Sequence, residues 1–398
     1  MSAVILDISR LISRIRYSTP SGVDRVEMAY ARGLLARYGK ALTFAAVHPT
    51  GLYGHLSHAA ALAYLDELDR RWSSKEKGPA QRSLLSILPQ LAALLPSHKK
   101  AVLPNAVYVQ ASPHHLTNVT KVQRILAREK ARFLCLVHDL IPIEFPEYAR
   151  PGGADLHSRR IETVAATADA VIVNSAATGR SVKPWLDRGG RRPTIDVALL
   201  GTEPLPIGDA VPESTDRPYF ICLGTIEPRK NHLLLLHLWR QFAETLPHAE
   251  IPRLVIVGRR GWENEQILDM LERCPALKDH VEELSGCSDA RLAGLIRGAR
   301  ALLMPSFAEG YGMPVAEALS VGTPAICSNI SPLREVGADV PDYLDPLDGP
   351  GWGVTILDYA MQGPGHRAQL ARIPHWRAPS WEQHIEIVTK AIARLQNT

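Results

Sequence analysis

The chain has 398 residues, 46% hydrophobic and 22% charged, with 45 Lys+Arg against 41 Asp+Glu and a formal net charge of +4. That length exceeds one ordinary core and predicts two domains, and the composition excludes extended disorder. So mild a basic excess, with no basic stripe interleaved with aromatics, excludes nucleic acid as the expected partner, although a positive sign suits a protein that handles phosphates.

The first apolar run, Val4–Ile8, reads as a strand: the N-terminus has no basic start, no long apolar core and no small-residue cleavage site, so no signal peptide is expected. No apolar stretch reaches the roughly 18 to 20 residues of a spanning helix. Cys135, Cys222, Cys274, Cys287 and Cys327 are scattered singly with no Cys-x-x-Cys pair, which predicts reduced thiols and a cytoplasmic protein. Further strands are predicted at Leu42–Val47, Val107–Gln110, Phe133–His138 and Ala170–Asn174, with helical patterns such as Asp24–Tyr38 and Leu156–Ala168 between them. Residues 70–100 break this alternation. Arg70, Arg71, Lys75, Lys77 and Arg82 precede the apolar run Leu84–Leu95, interrupted by Pro89, and Lys99 and Lys100 follow. The basic flanks admit a peripheral contact with anionic lipid, but a run of about twelve residues is more often core, and an inserted helical hairpin is the favoured reading.

Pro204–Pro218 carries four prolines and several acids without periodicity and is the predicted linker, dividing the chain into domains at 1–205 and 215–380, with a final helix at 381–396 that can pack back on the first. The second series of strands is Tyr219–Leu223, Arg253–Val257, Val281–Leu284, Ala301–Met304 and Pro324–Ser328, with helices at His232–Leu246, Asn264–Arg273 and Asp289–Arg297. The fold class is α/β: two Rossmann-like domains whose parallel sheets face a cleft, with ligands bound outside the carboxyl ends of the strands.

Two stretches carry chemistry. After Tyr219–Leu223 comes Gly224-Thr225-Ile226-Glu227-Pro228-Arg229-Lys230-Asn231, in which Arg229 and Lys230 stand between a strand and a helix. Two cations there can neutralise a diphosphate without a metal, although exposed loop charges are the commoner fate of such a pair. After Ala301–Met304 comes Glu309-Gly310-Tyr311-Gly312-Met313-Pro314-Val315-Ala316-Glu317, a glycine-rich turn opening a short helix. Backbone N–H groups and the helix dipole favour phosphate there. Glu309 in the loop and Glu317 in the first helical turn are acceptors suited to sugar and ribose hydroxyls; a solvated loop charge and a dipole-complementing acid are the alternatives.

Together these residues resemble the retaining glycosyltransferases of family 4, of GT-B architecture, most specifically through the two glutamates spaced as Glu309 and Glu317 and through Gly224, Thr225, Arg229 and Lys230. The resemblance implies that Glu317 binds the ribose, Glu309 the donor sugar, and Arg229 and Lys230 the diphosphate, aided by Gly310, Tyr311, Gly312 and Met313. It places the donor's base near Gly258, Arg259 and Cys287. In the first half it gives His138, at the end of a strand, a contact with the donor sugar; Gly22 a place in a loop near the diphosphate; and Asp24, Asn174 and Ser175 an acceptor role, with a helix N-cap as the alternative for Ser175. The family's paired glycines are reduced here to Gly22.

The implied reaction moves a sugar from a nucleotide-diphosphate donor to a saccharide or lipid-linked saccharide with retention of configuration. No Asp-x-Asp and no His/Cys cluster of metal-ligand spacing is present, so neither metal nor cofactor is expected. Resemblance to bacterial mannosyltransferases of O-antigen, capsule and exopolysaccharide assembly points to GDP-mannose; a UDP-sugar is the alternative donor. A sugar-nucleotide epimerase and a non-catalytic nucleotide-sugar-binding subunit are the alternatives in function.

Overall fold

The computed structural model describes residues 3–17, 19–73, 82–97, 105–206 and 217–397. They fall into two compact units: Met1–Glu144, Pro151–Gly201 and Ser380–Thr398 form the first, and Phe145–Arg150 with Thr202–Pro379 the second.

Unit 1 is built on a seven-stranded sheet of β1 (Val4–Asp7), β2 (Leu42–Val47), β3 (Tyr53–His55), β4 (Val107–Gln110), β5 (Arg132–Val137), β6 (Ala170–Val173) and β7 (Thr194–Val197), in the order β3-β2-β1-β4-β5-β6-β7. Every pairing is parallel except the β2–β3 hairpin. The central strands are buried along their whole length, as apolar strands covered on both faces must be. The two strands that hydrophobic patterning does not reveal, β3 and β7, lie at the sheet's edges: one has three residues, and the other is exposed at both ends. The helix Gly22–Tyr38 begins two residues before the apolar periodicity does. Ser21 caps it, accepting from the Asp24 N–H while the Asp24 carboxylate accepts from the Ser21 N–H at 2.7 Å. The helix Trp381–Asn397 completes this unit; the buried His384 ring places Nδ1 3.0 Å from the Leu199 carbonyl and Nε2 2.9 Å from the Tyr30 hydroxyl.

Within residues 70–100, Lys75, Lys77, Lys99 and Lys100 lie outside the described residues. The apolar run forms the helix Leu84–Ala93; Ile87 and Leu94 are buried, while Leu85, Leu88 and Leu95 are exposed. Among the described residues no helix is long and apolar enough to cross a membrane.

Unit 2 carries six parallel strands: β8 (Tyr219–Leu223), β9 (Arg253–Val257), β10 (Val281–Leu284), β11 (Ala301–Met304), β12 (Ala325–Ser328) and β13 (Asp342–Leu344), in the order β10-β9-β8-β11-β12-β13. Its core gathers Phe220, Trp239, Phe242, Trp352 and Tyr359. Strand order reverses between β8 and β11, so the two chain segments leaving these strands part and open a crevice at their carboxyl ends. Of the expected linker, residues 207–216 lie outside the described residues. Residues 145–150, which the sequence places inside the first domain, group with unit 2: the Trp262 indole N–H donates to the Tyr148 carbonyl at 3.0 Å, and the Tyr148 ring stacks on Phe307 with centroids 5.7 Å apart and planes 10° from parallel.

One buried group in unit 1 makes stability depend on pH. Glu27 is fully buried on the helix Gly22–Tyr38, and its Oε2 has no hydrogen-bond partner among the described residues. Burial first, and the nearby charge of Asp7 second, push its carboxyl up to about 8. The native state therefore keeps a proton that the unfolded chain gives up above an ordinary Glu pKa, so this group's contribution to stability declines as pH rises toward about 8. Glu27→Gln, which fixes the neutral form, should gain thermal stability relative to the parent between pH 5 and pH 8, by up to a few kcal/mol at about 1.4 kcal/mol per pKa unit. Melting curves across that range that stay parallel for parent and variant refute this.

Candidate active site

The site grows out of the two loops that flank the β8–β11 crevice. After β8 the chain passes Gly224, whose φ is +133°, and Thr225, then forms one tight turn at Pro228–Lys230. Asn231 follows in the left-handed region, and the helix His232–Thr245 begins. Gly258, after the neighbouring β9, has no room for a side chain: a Cβ would lie 1.8 Å from the Gly224 carbonyl oxygen. That close approach lets the Gly224 N–H donate to the Val257 carbonyl at 3.0 Å and fixes the start of the turn.

The loop after β11 carries Glu309 into the same place. Lys230 Nζ donates to Glu309 Oε1 at 2.6 Å, and Arg229 Nη1 donates to Oε2 at 2.8 Å and to the Ala308 carbonyl at 2.9 Å. The backbone ties the loops together as well, the Phe307 N–H donating to the Arg229 carbonyl at 2.8 Å. The Glu309 side chain is only 7% exposed and that of Lys230 only 8%, so this is a buried ion cluster rather than a surface pair. Burial alone raises the Glu309 carboxyl; Arg229 and then Lys230 overcome it and hold the group at about 2. A second acid, Glu227, completes the cluster with Oε1 2.5 Å from Arg229 Nε, and burial raises its carboxyl against the pull of Arg229 and Lys230. Sequence reasoning passed over Glu227; an acid in the same loop, two residues before the arginine, is the signal that could have found it.

Beyond Glu309 the chain runs through Gly310 and the buried Tyr311 to Gly312, where φ is +122° and a Cβ would lie 2.6 Å from Leu333 Cδ2. The helix Met313–Ser320 starts there with no side-chain cap; Pro314 has no N–H to give, and the Val315 N–H donates to the Gly312 carbonyl at 3.0 Å. Because Met313 is its first residue, Glu317 falls in the second turn, half-buried, and not in the first turn as the sequence suggested. Arg259, exposed, and Cys287, half-buried, sit on the loops after β9 and β10, along the same carboxyl edge of the sheet. The structure thus brings Arg229, Lys230 and Glu309 into one bonded group, with Gly224, Gly258, Gly312 and Met313 shaping the backbone around it.

In unit 1 the residues singled out by sequence have firmer structural duties. His138 follows β5 with Nε2 2.8 Å from the Ala111 carbonyl, and burial lowers its pKa. A neutral imidazole suits hydroxyls better than phosphate. Gly22 opens the helix Gly22–Tyr38 behind its cap Ser21. Asp24 is fully buried: Arg10 Nε donates to Oδ1 at 2.6 Å, Arg14 Nε lies 3.2 Å from Oδ2, and the cap takes Oδ2 as well. Its carboxylate is therefore a structural anchor rather than a group offered to an acceptor. Ser175 caps the helix Ala176–Arg188, accepting from the Thr178 N–H at 3.0 Å, whereas Asn174 is buried with Oδ1 unpartnered among the described residues.

Residues 208–340 match the family described as glycosyl transferases group 1. The chain is 30% identical over 236 residues to the serotype-specific mannosyltransferase WbdA of Escherichia coli, covering 53% of this chain and 28% of that protein. It is 34% identical over 167 residues to the O-antigen chain mannosyltransferase B of Escherichia coli, covering 41% of this chain and 42% of that one. The chain thus spans less than half the length of these relatives. Among solved structures, sucrose-phosphate synthase from Thermosynechococcus elongatus superimposes with a TM-score of 0.66 at 17% identity, over 99% of both chains. The fold is that of the GT-B glycosyltransferases.

The ion cluster predicts its own coupling. Lys230→Met should lower stability by about 3–5 kcal/mol at neutral pH, because it leaves the buried Glu309 charge under-compensated. Adding Glu309→Gln to it should recover most of the loss. A double variant no more stable than the single one, by thermal denaturation, counts against the pairing.

Proposed function

Because the chain carries a glycosyl transferases group 1 domain on a GT-B fold, we propose that it is a retaining glycosyltransferase that binds a nucleotide-diphosphate sugar in unit 2 and needs no metal to do so. The observation that carries this reading is the meeting of Arg229 and Lys230 with Glu309 at the β8–β11 crevice, beside the uncapped start of the helix Met313–Ser320. Two cations can grip a diphosphate, and Glu309 and Glu317 supply acceptors for sugar and ribose hydroxyls.

In this reading the bond from the anomeric carbon to the diphosphate oxygen breaks while the acceptor's hydroxyl oxygen bonds to that carbon from the same face. The departing diphosphate takes the hydroxyl proton. Arg229 and Lys230 stabilise the negative charge that grows on the leaving oxygen, and such electrostatic stabilisation is the main source of rate acceleration open to a site of this kind. Relatives named serotype-specific and O-antigen chain mannosyltransferases favour GDP-mannose as donor and a saccharide of a surface polysaccharide, free or lipid-linked, as acceptor. A UDP-sugar is the alternative donor. Leu85 and Leu88, exposed on the helix Leu84–Ala93, favour a peripheral lipid contact at the cytoplasmic membrane face. Vesicles of anionic lipid should retain the parent chain and release Leu85→Ser/Leu88→Ser; equal retention of both excludes that contact.

Calorimetric titration with GDP, UDP and ADP, without divalent metal, tests the donor site. One nucleotide should bind, and Arg229→Ala/Lys230→Ala should abolish binding. Glu317→Ala should weaken it by about 1.5–3 kcal/mol, the worth of a hydrogen bond to a charged acceptor. Arg229→Ala should depress turnover more than Glu317→Ala does, because it acts on charge that develops in the transition state. Small and equal effects from both, or no binding by any nucleotide, overturn the reading.

A further inference from the structure

The charges of the donor-side cluster already balance. Arg229 and Lys230 contribute two positive charges, Glu309 and Glu227 two negative ones. Glu309 engages both cations, one on each oxygen, at 2.8 and 2.6 Å. Glu227 holds the opposite edge of the same guanidinium, Oε1 to Nε at 2.5 Å, with a side chain only 2% exposed. Its backbone is extended (φ −145°, ψ 158°) just before the turn Pro228–Lys230, which folds the chain so that acid and arginine face each other across two residues. The charged groups that face Glu227 are Arg229, Lys230 and Glu309. From the loop after β9, Gly261 closes in, a Cβ there lying 3.5 Å from Glu227 Cβ; Arg260 is tied to Glu272 and Glu283, and Arg259 is exposed.

A diphosphate diester brings two further negative charges to cations that are already matched. In a buried site that surplus is costly, and a proton taken from solvent by one carboxylate would halve it. Glu309 is poorly suited to take it, since Arg229 and Lys230 hold its carboxyl at about 2. Glu227 is well suited: burial already raises its carboxyl, and an approaching diphosphate pushes it further the same way. Once protonated, Glu227 keeps an oxygen for the Arg229 Nε–H and leaves the guanidinium charge to the phosphate.

We infer that Glu227 is the positioning residue of the diphosphate clamp, aiming Arg229 by its Nε edge and taking up a proton when the sugar nucleotide binds, so that donor binding is proton-linked. The inference rests on the donor-site reading above. It also explains why the cluster holds together without ligand: Glu227 and Glu309 neutralise two cations that would otherwise repel each other in a buried place.

The test is calorimetry with GDP-mannose and with UDP-glucose, whose diphosphate diesters do not themselves titrate near neutrality, in two buffers of different ionisation enthalpy between pH 6 and 8. The parent chain should take up as much as about one proton per donor bound, and its affinity should fall with rising pH by as much as about tenfold per unit. Glu227→Gln keeps an acceptor for Nε–H but cannot titrate; its proton uptake should vanish and its affinity should become independent of pH. Glu227→Ala, confirmed folded by circular dichroism, should lower kcat about tenfold through lost aim of Arg229, and Glu227→Gln should recover most of that loss. Uptake that persists in Glu227→Gln, or is absent from the parent while a donor binds, overturns the inference alone. Failure of both sugar nucleotides to bind removes the donor-site reading and this inference with it.

Discussion

A buried carboxylate held by two cations organises unit 2. Glu309 comes from the loop after β11, and Arg229 and Lys230 come from the loop after β8; each would be costly to bury alone. Their union fixes where both loops lie, and the Phe307-to-Arg229 backbone bond and the Arg229 bond to the Ala308 carbonyl reinforce it. The helix Met313–Ser320 inherits its starting point from that loop through Gly312, so the ion cluster and the helix start are set by one arrangement.

The arrangement exists because of sheet topology. In the order β10-β9-β8-β11-β12-β13, β8 and β11 are spatial neighbours although more than seventy residues separate them, and the chain departs from them in opposite directions. Side chains at the two strand ends then have nowhere to point except into the crevice between the departing segments. Unit 1 repeats the pattern, reversing between β1 and β4, but its strand ends hold different groups: Asp7 bonded by the Tyr108 hydroxyl, and His138 against the Ala111 carbonyl. The bonded group of Arg229, Lys230 and Glu309 belongs to unit 2, although the two halves share a plan.

Such a cluster can serve a reaction only if its charges can be redistributed. Arg229 and Lys230 are paired with acids as they stand, and a ligand must compete for them. The burial that makes the pairs strong also makes their charge state responsive to a newcomer, since electrostatic effects are amplified where water is scarce. A cluster with one firmly ionised acid and one acid raised by burial is suited to that exchange.

The sequence by itself was enough to determine most of the strands, the α/β class and the two loops that meet at the β8–β11 crevice. Buried parallel strands read as continuous apolar runs, and Gly224, Gly312 and the Arg229-Lys230 pair stand at strand ends where local chemistry marks them. It did not reveal β3, β7 or β13, because short strands at a sheet's edge carry little hydrophobic signal. The turn of the helix that holds Glu317 depended on the backbone at Gly312, which composition does not report. Asp24 looked available because a capping acid and a binding acid are the same residue type; only packing shows that Arg10 and Arg14 occupy it. Glu227 looked like an ordinary loop acid because its role depends on burial and on a guanidinium oriented by a distant loop. Which charges meet, and in what state of protonation, was decided by the tertiary structure alone, since both follow from distance and desolvation rather than from order along the chain.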